Sequence, residues 1–144
     1  MDSDDPFELQ RFVDAQQPVI DAALAELAAG GKSGHWMWFV FPQLRALGRS
    51  ATALRYGIAS LAEARAYLAH PLLGARLAAC CEVLLRLEGR SAREIFGAID
   101  TLKLGSCMTL FECAAADESQ RRRFAAVLER YFAGRRDTAT RALI

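Results

Sequence analysis

The sequence predicts an all-α protein: one compact domain, residues 1–144, built as a bundle of about six to eight short and medium helices. Helix-start signals recur along the chain, and the apolar residues between them follow the 3.6-residue repeat. No segment alternates apolar and polar residues as a strand does, and no Asn-Gly or Asp-Gly hairpin turn occurs. A domain of this length buries about two-thirds of the surface of its unfolded chain, so it needs no disulfide to fold.

Proline and glycine delimit the first two predicted helices. Asp5 offers an N-cap with Pro6 at the first helical position, which predicts a helix to about Gln16. Pro18 begins a second helix, and the pair Gly30-Gly31 ends it. One face of this second helix is apolar and consists of Val19, Ile20, Ala23, Leu24 and Leu27.

A capping box predicts the third helix. Ser60 is followed three residues later by Glu63, which indicates a helix that runs to Ala69. Pro71 begins the next helix, and Gly89 closes it. The apolar face of that helix comprises Leu73, Leu77, Cys80, Cys81, Leu84 and Leu85.

Polar caps also mark the C-terminal third. Ser91–Glu94 is a second capping box, and Asp100 can cap a helix that runs through Ala116. A helix from Asp117 to Tyr131 follows, and Asp137 caps a last short turn. The buried side of the helix after Asp117 is formed by Phe124, Val127, Leu128 and Tyr131.

Composition disfavours export and membrane insertion. The first six residues are acidic where a secretory signal is basic, and no apolar run approaches the ~20 residues of a membrane span. The four cysteines, Cys80, Cys81, Cys107 and Cys113, form no C-x-x-C or C-x-x-H pair. We therefore expect reduced cysteines, a cytoplasmic location and no metal site.

Charge is distributed unevenly although the net charge is only +1. Residues 1–31 hold seven carboxylates against Arg11, while residues 118–144 hold seven arginines against three carboxylates. These ends can attract one another within a monomer or between subunits, so an interaction protein or a homo-oligomer is one hypothesis. Nucleic-acid binding by this arginine cluster is disfavoured, because arginines on the solvated face of an amphipathic helix are the commoner case. The cluster consists of Arg121, Arg122, Arg123, Arg135 and Arg136.

The segment K-S-G-H-W-M-W-F-V-F-P-Q-L contains both tryptophans and one of only two lysines. Its apolar run, Trp36–Phe41, requires burial, either as an extended loop or as a core helix that Pro42 ends. Lys32 and His35 precede this run and Gln43 follows it. Such a composition is typical of a pocket wall, and also of a plain core segment.

The other lysine lies in D-T-L-K-L-G-S-C-M-T-L-F. On a helix, Asp100, Lys103 and Ser106 share one face. Because the chain otherwise prefers arginine by sixteen to two, a lysine here suggests a site where a compact, tunable charge is needed. The alternative is a surface ion pair between Lys103 and a helix-capping Asp100.

Long motifs in matching order resemble a known family. They are D-P-F-x-L-Q-R-F, the two segments above, L-G-R-S-x-x-A-x-x-Y-x-I and A-R-A-Y-L-A-H-P-L-L-G. The chain resembles the bacterial family catalogued as domain of unknown function 1810, which implies a small, all-helical, single-domain protein without an established activity. Members are sometimes labelled calpastatin, a disordered inhibitor, but a chain with 53% hydrophobic residues is unlike one physically. The resemblance marks Lys32, His35, Trp36, Trp38, Phe41, Pro42, Gln43, Tyr56, His70, Asp100, Lys103, Ser106 and Thr109.

The marked residues allow architectural and functional interpretations. Trp36, Trp38 and Phe41 can simply anchor helices, and His35 can either bond a nearby carbonyl or act as a general acid or base. His70 is expected to be structural, stabilised by the dipole at the end of a helix.

Two further hypotheses use one shared pocket. The first is a binding module for a small anionic or nucleotide-like ligand. The second is an enzyme for acid/base hydrolysis or glycosyl transfer, with His35, Asp100 and Lys103 as catalytic candidates. No cofactor motif is present, so no cofactor is expected. The predicted ligand-binding residues are Lys32, His35, Trp36, Trp38, Phe41, Gln43, Lys103, Ser106 and Thr109.

Overall fold

A computed structural model describes residues 4–144 and shows nine α-helices and one 3-10 helix within them. The acidic opening at residues 1–3 lies outside the described residues. No β-strand forms in the described part of the chain, although Leu44 and Ile58 make one isolated parallel bridge. The all-α prediction is therefore confirmed. The helices are α1 (Gln10–Gln16), α2 (Ile20–Ala29), α3 (Met37–Val40), α4 (Ala51–Arg55), α5 (Leu61–Ala69), α6 (Pro71–Arg86), α7 (Ala92–Ala114), α8 (Glu118–Phe132) and α9 (Thr138–Leu143), and the 3-10 helix is Arg45–Leu47.

The longest helix, α7, lies at the centre of the core and packs against α5, α8 and α9, while α6 packs against α2 and α8. Fully buried aromatic rings connect these layers. The ring centroid of Phe111 on α7 lies 5.1 Å from that of Tyr67 on α5 and 6.0 Å from that of Phe124 on α8. Aromatic pairs at this separation add to the stabilisation from burial, so they fix α7 relative to its neighbours.

Several predicted caps are present. Ser91 and Glu94 form the complete capping box at the start of α7. Asp117 and Asp137 each accept a hydrogen bond from a backbone N–H three residues later, at the starts of α8 and α9. Ser60 caps α5 in the same way, but the carboxylate of Glu63 accepts from Ala59 N and from Arg11 instead of completing the box.

The first helix begins later than predicted. Glu8 has φ 54°, a left-handed conformation that interrupts a helix, and α1 therefore begins at Gln10. Asp5 still satisfies the start of the helix, because its carboxylate accepts from Leu9 N at 2.7 Å and from Gln10 N at 3.0 Å.

The prediction that Asp100 caps a helix is wrong. Helix α7 already begins at Ala92, and its break lies at Gly97, which has φ 82° and ψ 173°. Asp100 lies in the first turn after this break, and its carboxylate forms ion pairs.

The tryptophan-rich segment folds as the single helical turn α3, which ends before Pro42. Trp36 and Phe41 are buried, while Trp38 and Phe39 are half-buried. Gln16 on α1 fixes this turn by donating from Nε2 to the carbonyl oxygen of Phe39 at 2.6 Å. Short helices such as α3 and α4 are too brief to show a periodic pattern, which is why the described residues contain more helices than expected.

No individual helix among the described residues is both long and apolar enough to cross a membrane. Between residues 4 and 144, one pair of consecutive helices, α5 and α6, reaches that length and hydropathy when taken together, and the two are bent by 89°.

Candidate functional site

One carboxylate organises the loop that carries the site. Oε1 of Glu26 on α2 accepts from Ser33 N, Gly34 N and Trp36 Nε1, each at 2.9 Å. The backbone bond from Gly34, followed by that from Ser33, lowers the pKa of Glu26 below its ordinary value. Gly34 is needed here because a Cβ would lie 2.7 Å from the Trp36 ring.

Lys32 connects this loop to α7. Its backbone N–H donates to Ile95 O at 2.8 Å, and its ammonium donates to Gly34 O at 2.6 Å. The ammonium also lies 2.9 Å from Oδ2 of Asp100 and 5.0 Å from the ring centroid of Trp36. With only 8% of its side chain exposed, Lys32 is a largely satisfied charge that holds the loop in place.

Lys103 approaches the same carboxylate from the other side. Its ammonium lies 3.6 Å from Oδ1 of Asp100 and 4.5 Å from the ring centroid of Trp38. Each lysine of the chain thus lies over one tryptophan, and both face one aspartate. The two ammonium groups and this carboxylate together carry a formal charge of +1, while the Glu26 carboxylate is engaged by the loop backbone and the Trp36 indole.

An open groove of about 560 Å³ runs beside this cluster. Of the predicted site residues, Lys32, His35, Trp38, Asp100 and Lys103 lie together along it. His35 is exposed there. The remaining lining consists of Met37, Phe96, Gly97, Ala98 and Ile99.

A second, much smaller cavity of about 10 Å³ is also lined by Trp38. Gln43, Tyr56 and Lys103 contribute to its lining, together with Phe41. Its volume matches the space that one water molecule needs. Gln43 therefore lines this small cavity with Lys103 and Trp38 and does not line the groove.

The remaining predicted residues lie elsewhere. Trp36 and Phe41 are buried and do not line the groove, and their ring centroids lie 6.2 Å apart. Ser106 donates from Oγ to Asp137 Oδ2 at 3.1 Å, and Thr109 Oγ1 accepts from Asp137 N at 2.9 Å. These two hydroxyls attach the start of α9 to α7, and neither residue lines the groove.

His70 has a structural role, but for a different reason than expected. Its Nδ1 accepts from Leu72 N at 3.1 Å and from Leu73 N at 3.3 Å, which makes it the N-cap of α6. We had expected the His70 ring to interact with the C-terminal end of the preceding helix. It instead caps the N-terminus of α6, the helix that follows.

Sequence reasoning did not find Gly97 and Ile99. The usable signal was a glycine between the Ser91–Glu94 capping box and the next helical run, since glycine commonly breaks a helix by adopting positive φ. The sequence prediction instead began a new helix at Asp100, three residues after the actual break at Gly97.

The cysteines offer no activated nucleophile. All four are free, and Cys80, Cys81 and Cys107 are buried. Burial raises the pKa of Cys80 to about 12 and raises the pKa values of Cys81 and Cys107 as well, so these thiols stay protonated. Within residues 4–144, no group of three or more His, Cys, Asp or Glu side chains is arranged to hold a metal ion.

Much of the arginine cluster is paired within its own half of the chain. Arg121 and Arg122 pair with Glu118, and Arg123 pairs with Glu82. Arg136 pairs with Glu112 on α7. These local pairs reduce the charge available for an association driven by the C-terminal helices.

Comparison with known proteins agrees with this geometry at the level of fold. A model of the family described as "Protein of unknown function (DUF1810)" matches residues 6–144. The crystal structure of the conserved hypothetical protein Rv1873 from Mycobacterium tuberculosis is similar, with a TM-score of 0.93 and 54% sequence identity. That match covers 97% of this chain and 98% of the mycobacterial one. Among curated proteins, none matches this chain.

Proposed function

The chain belongs to the DUF1810 family of proteins of unknown function, and we propose that it is a binding module whose groove holds a small anionic or nucleotide-like ligand. The observation that carries this proposal is the convergence of both lysines of the chain on Asp100 at the edge of the groove. An anion would compensate the formal charge of +1 that these two lysines and Asp100 carry together.

The two lysines have different parts in this proposal. Lys32 is committed to Gly34 and Asp100 and positions the wall of the groove. Lys103 is more exposed, at 20%, and is farther from the shared carboxylate, so its ammonium is the group that contacts the anion. His35 lies on the same groove and can donate a further hydrogen bond.

Trp38 supports a nucleotide-like ligand. Its ring is half-buried and lines both cavities. An aromatic side chain beside a cation can stack on a heterocycle while the cation binds a phosphate.

Isothermal titration calorimetry with AMP, inorganic phosphate and neutral adenosine tests the proposal. We expect AMP and phosphate to bind and to raise the melting temperature, because ligands that bind the folded state stabilise it. Lys103→Gln should weaken phosphate binding at least about tenfold, in line with the loss of about 1.4 kcal/mol from one charge-assisted hydrogen bond. Arg122→Gln, which removes a charge 78% exposed on α8, is the matched control and should bind as the wild type does. The proposal is contradicted if Lys103→Gln binds phosphate as tightly as the wild type does, or if the wild type binds neither AMP nor phosphate.

A second candidate function is hydrolysis or glycosyl transfer in the same groove. It is favoured by the presence of His35, Asp100 and Lys103 along one cavity. In that case His35 would exchange a proton with the substrate while Lys103 stabilises negative charge. Phosphorylated substrates should then turn over with a pH dependence that His35→Ala abolishes, whereas a binding module gives no product.

We also propose that the protein works in the cytoplasm. Four free cysteines, three of them buried, suit a compartment in which thiols stay reduced.

A further inference from the structure

Ile99 is a large apolar side chain that is left 72% exposed on the wall of the groove. We infer that the ligand is an organic anion, with an apolar body that covers Ile99 and a negative group that binds Lys103. This inference rests on the proposed function and names the class of ligand for the same groove.

The break at Gly97 creates this wall. Five consecutive residues, 96–100, line the groove, whereas a continuous helix with 3.6 residues per turn would distribute them around its whole circumference. Gly97 has φ +82°, and a Cβ added there would meet nothing within 4 Å. The glycine therefore serves the backbone conformation rather than a tight contact.

The same five residues combine two kinds of chemistry. Asp100 ends the run and forms ion pairs with both lysines. Phe96, which begins the run, is buried, and Met37, which also lines the groove, is buried as well. Ile99 is therefore the exposed large apolar side chain among the described residues that line the groove. A purely inorganic anion bound at Lys103 would leave the Ile99 side chain exposed to water.

The expected gain in affinity can be related to the apolar surface area that the ligand buries. A tenfold difference in affinity corresponds to about 1.4 kcal/mol, which the burial of about 55 Å² of apolar surface supplies. A phenyl ring that rests on Ile99 can cover that much from both partners. We therefore expect the wild type to bind phenyl phosphate at least about tenfold more tightly than inorganic phosphate.

Helix α7 offers a matched control for this measurement. Leu102 is also 72% exposed and lies three residues after Ile99, but it does not line the groove. Ile99→Ser should remove most of the preference for phenyl phosphate, and Leu102→Ser should retain it. Ile99→Ala, which shortens the side chain without adding a polar group, provides a second test, and melting curves of all variants verify that they are folded.

The outcomes separate this inference from the proposed function. If both phosphates bind equally well, or if Ile99→Ser and Ile99→Ala keep the full preference, the organic-anion inference is overturned while anion binding stands. If neither phosphate binds the wild type, both are overturned. A preference that is lost with Ile99 and kept with Leu102 supports the inference.

Discussion

The indole Nε1 of Trp36 donates a hydrogen bond to Oε1 of Glu26 at 2.9 Å, and the same oxygen accepts two backbone N–H groups from the loop between them. A buried tryptophan ring needs a partner for its N–H. Here that partner also fixes the backbone before α3, so burial of the ring and shape of the groove depend on one carboxylate.

We predict that Glu26→Gln destabilises the protein by about 2 kcal/mol at pH 7, because hydrogen bonds to a charged acceptor are stronger than those to a neutral amide. Urea unfolding monitored by circular dichroism measures the change. Asp21→Asn, which alters an exposed carboxylate in the first turn of the same helix, should change stability by less than about 0.5 kcal/mol.

The same carboxylate should make the fold sensitive to acid. The pKa of Glu26 in the folded protein lies below its ordinary value of 4.5. The stability it contributes is therefore fully present above pH 4.5 and is lost as the pH falls through the lower folded pKa. The difference between the wild type and Glu26→Gln should shrink on going from pH 7 to pH 3, and a difference that stays constant would refute this assignment.

Local patterns were enough to predict the helical class and most helix starts. The caps at Ser91, Asp117 and Asp137 act within three residues, so a local pattern contains all the information needed. The ion pair of Asp100 with Lys103, three residues away, was among the sequence interpretations. The shorter ion pair with Lys32 was missed because Lys32 lies far away in sequence. Glu8 was missed for a related reason, since a positive φ at a non-glycine residue depends on the surrounding structure.

The candidate site was only partly predictable. The composition of the segment from Lys32 to Gln43 indicated a pocket wall, but it could not show which side chains face the groove. Ser106 and Thr109 share the helix with Lys103, yet they turn towards α9 because Asp137 presents both a carboxylate and a backbone N–H to them. Hydrogen-bond partners on another helix thus determine which side chains of α7 face the groove, and a local sequence pattern does not contain them.

We predict that Thr109→Val loosens the C-terminal helix. The variant keeps the shape of the buried side chain but leaves Asp137 N–H without its acceptor, which should cost about 1–2 kcal/mol. Amide hydrogen exchange should increase first in α9. Thr101→Val is the matched control, because that hydroxyl bonds to Gly97 O within its own helix, and it should leave exchange in α9 unchanged. Unaltered exchange in Thr109→Val would show that the hydroxyl does not hold α9.

Arg11 joins the N-terminal segment to the middle of the chain. Its guanidinium pairs with Glu63 at 2.8 Å, with 17% and 4% of the two side chains exposed. It also donates to four carbonyl oxygens, those of Phe7, Glu8, Arg55 and Gly57.

We predict that Arg11→Lys lowers the free energy of unfolding by about 2 kcal/mol, because an ammonium cannot reproduce the planar fork of donors. Arg11→Met should cost about 3 kcal/mol or more, since it leaves the buried Glu63 carboxylate without its cation. Guanidinium chloride unfolding measures both. Arg122→Lys, at a side chain 78% exposed, should change stability by less than about 0.5 kcal/mol. Equal stability of Arg11→Lys and the wild type would show that charge alone suffices.

Thiol reactivity tests the packing around α6 and α7. Cys80, Cys81 and Cys107 are buried with raised pKa values, whereas Cys113 is exposed. Burial of part of Cys113, followed by the charge of Glu112, also raises the pKa of its thiol. We predict that at pH 8 only Cys113 of the native protein reacts with Ellman's reagent, more slowly than free cysteine because less of it is thiolate. All four should react in denaturant. Cys113→Ser should abolish the native reaction, and any thiol that still reacts in that variant would mean that the core opens around α6.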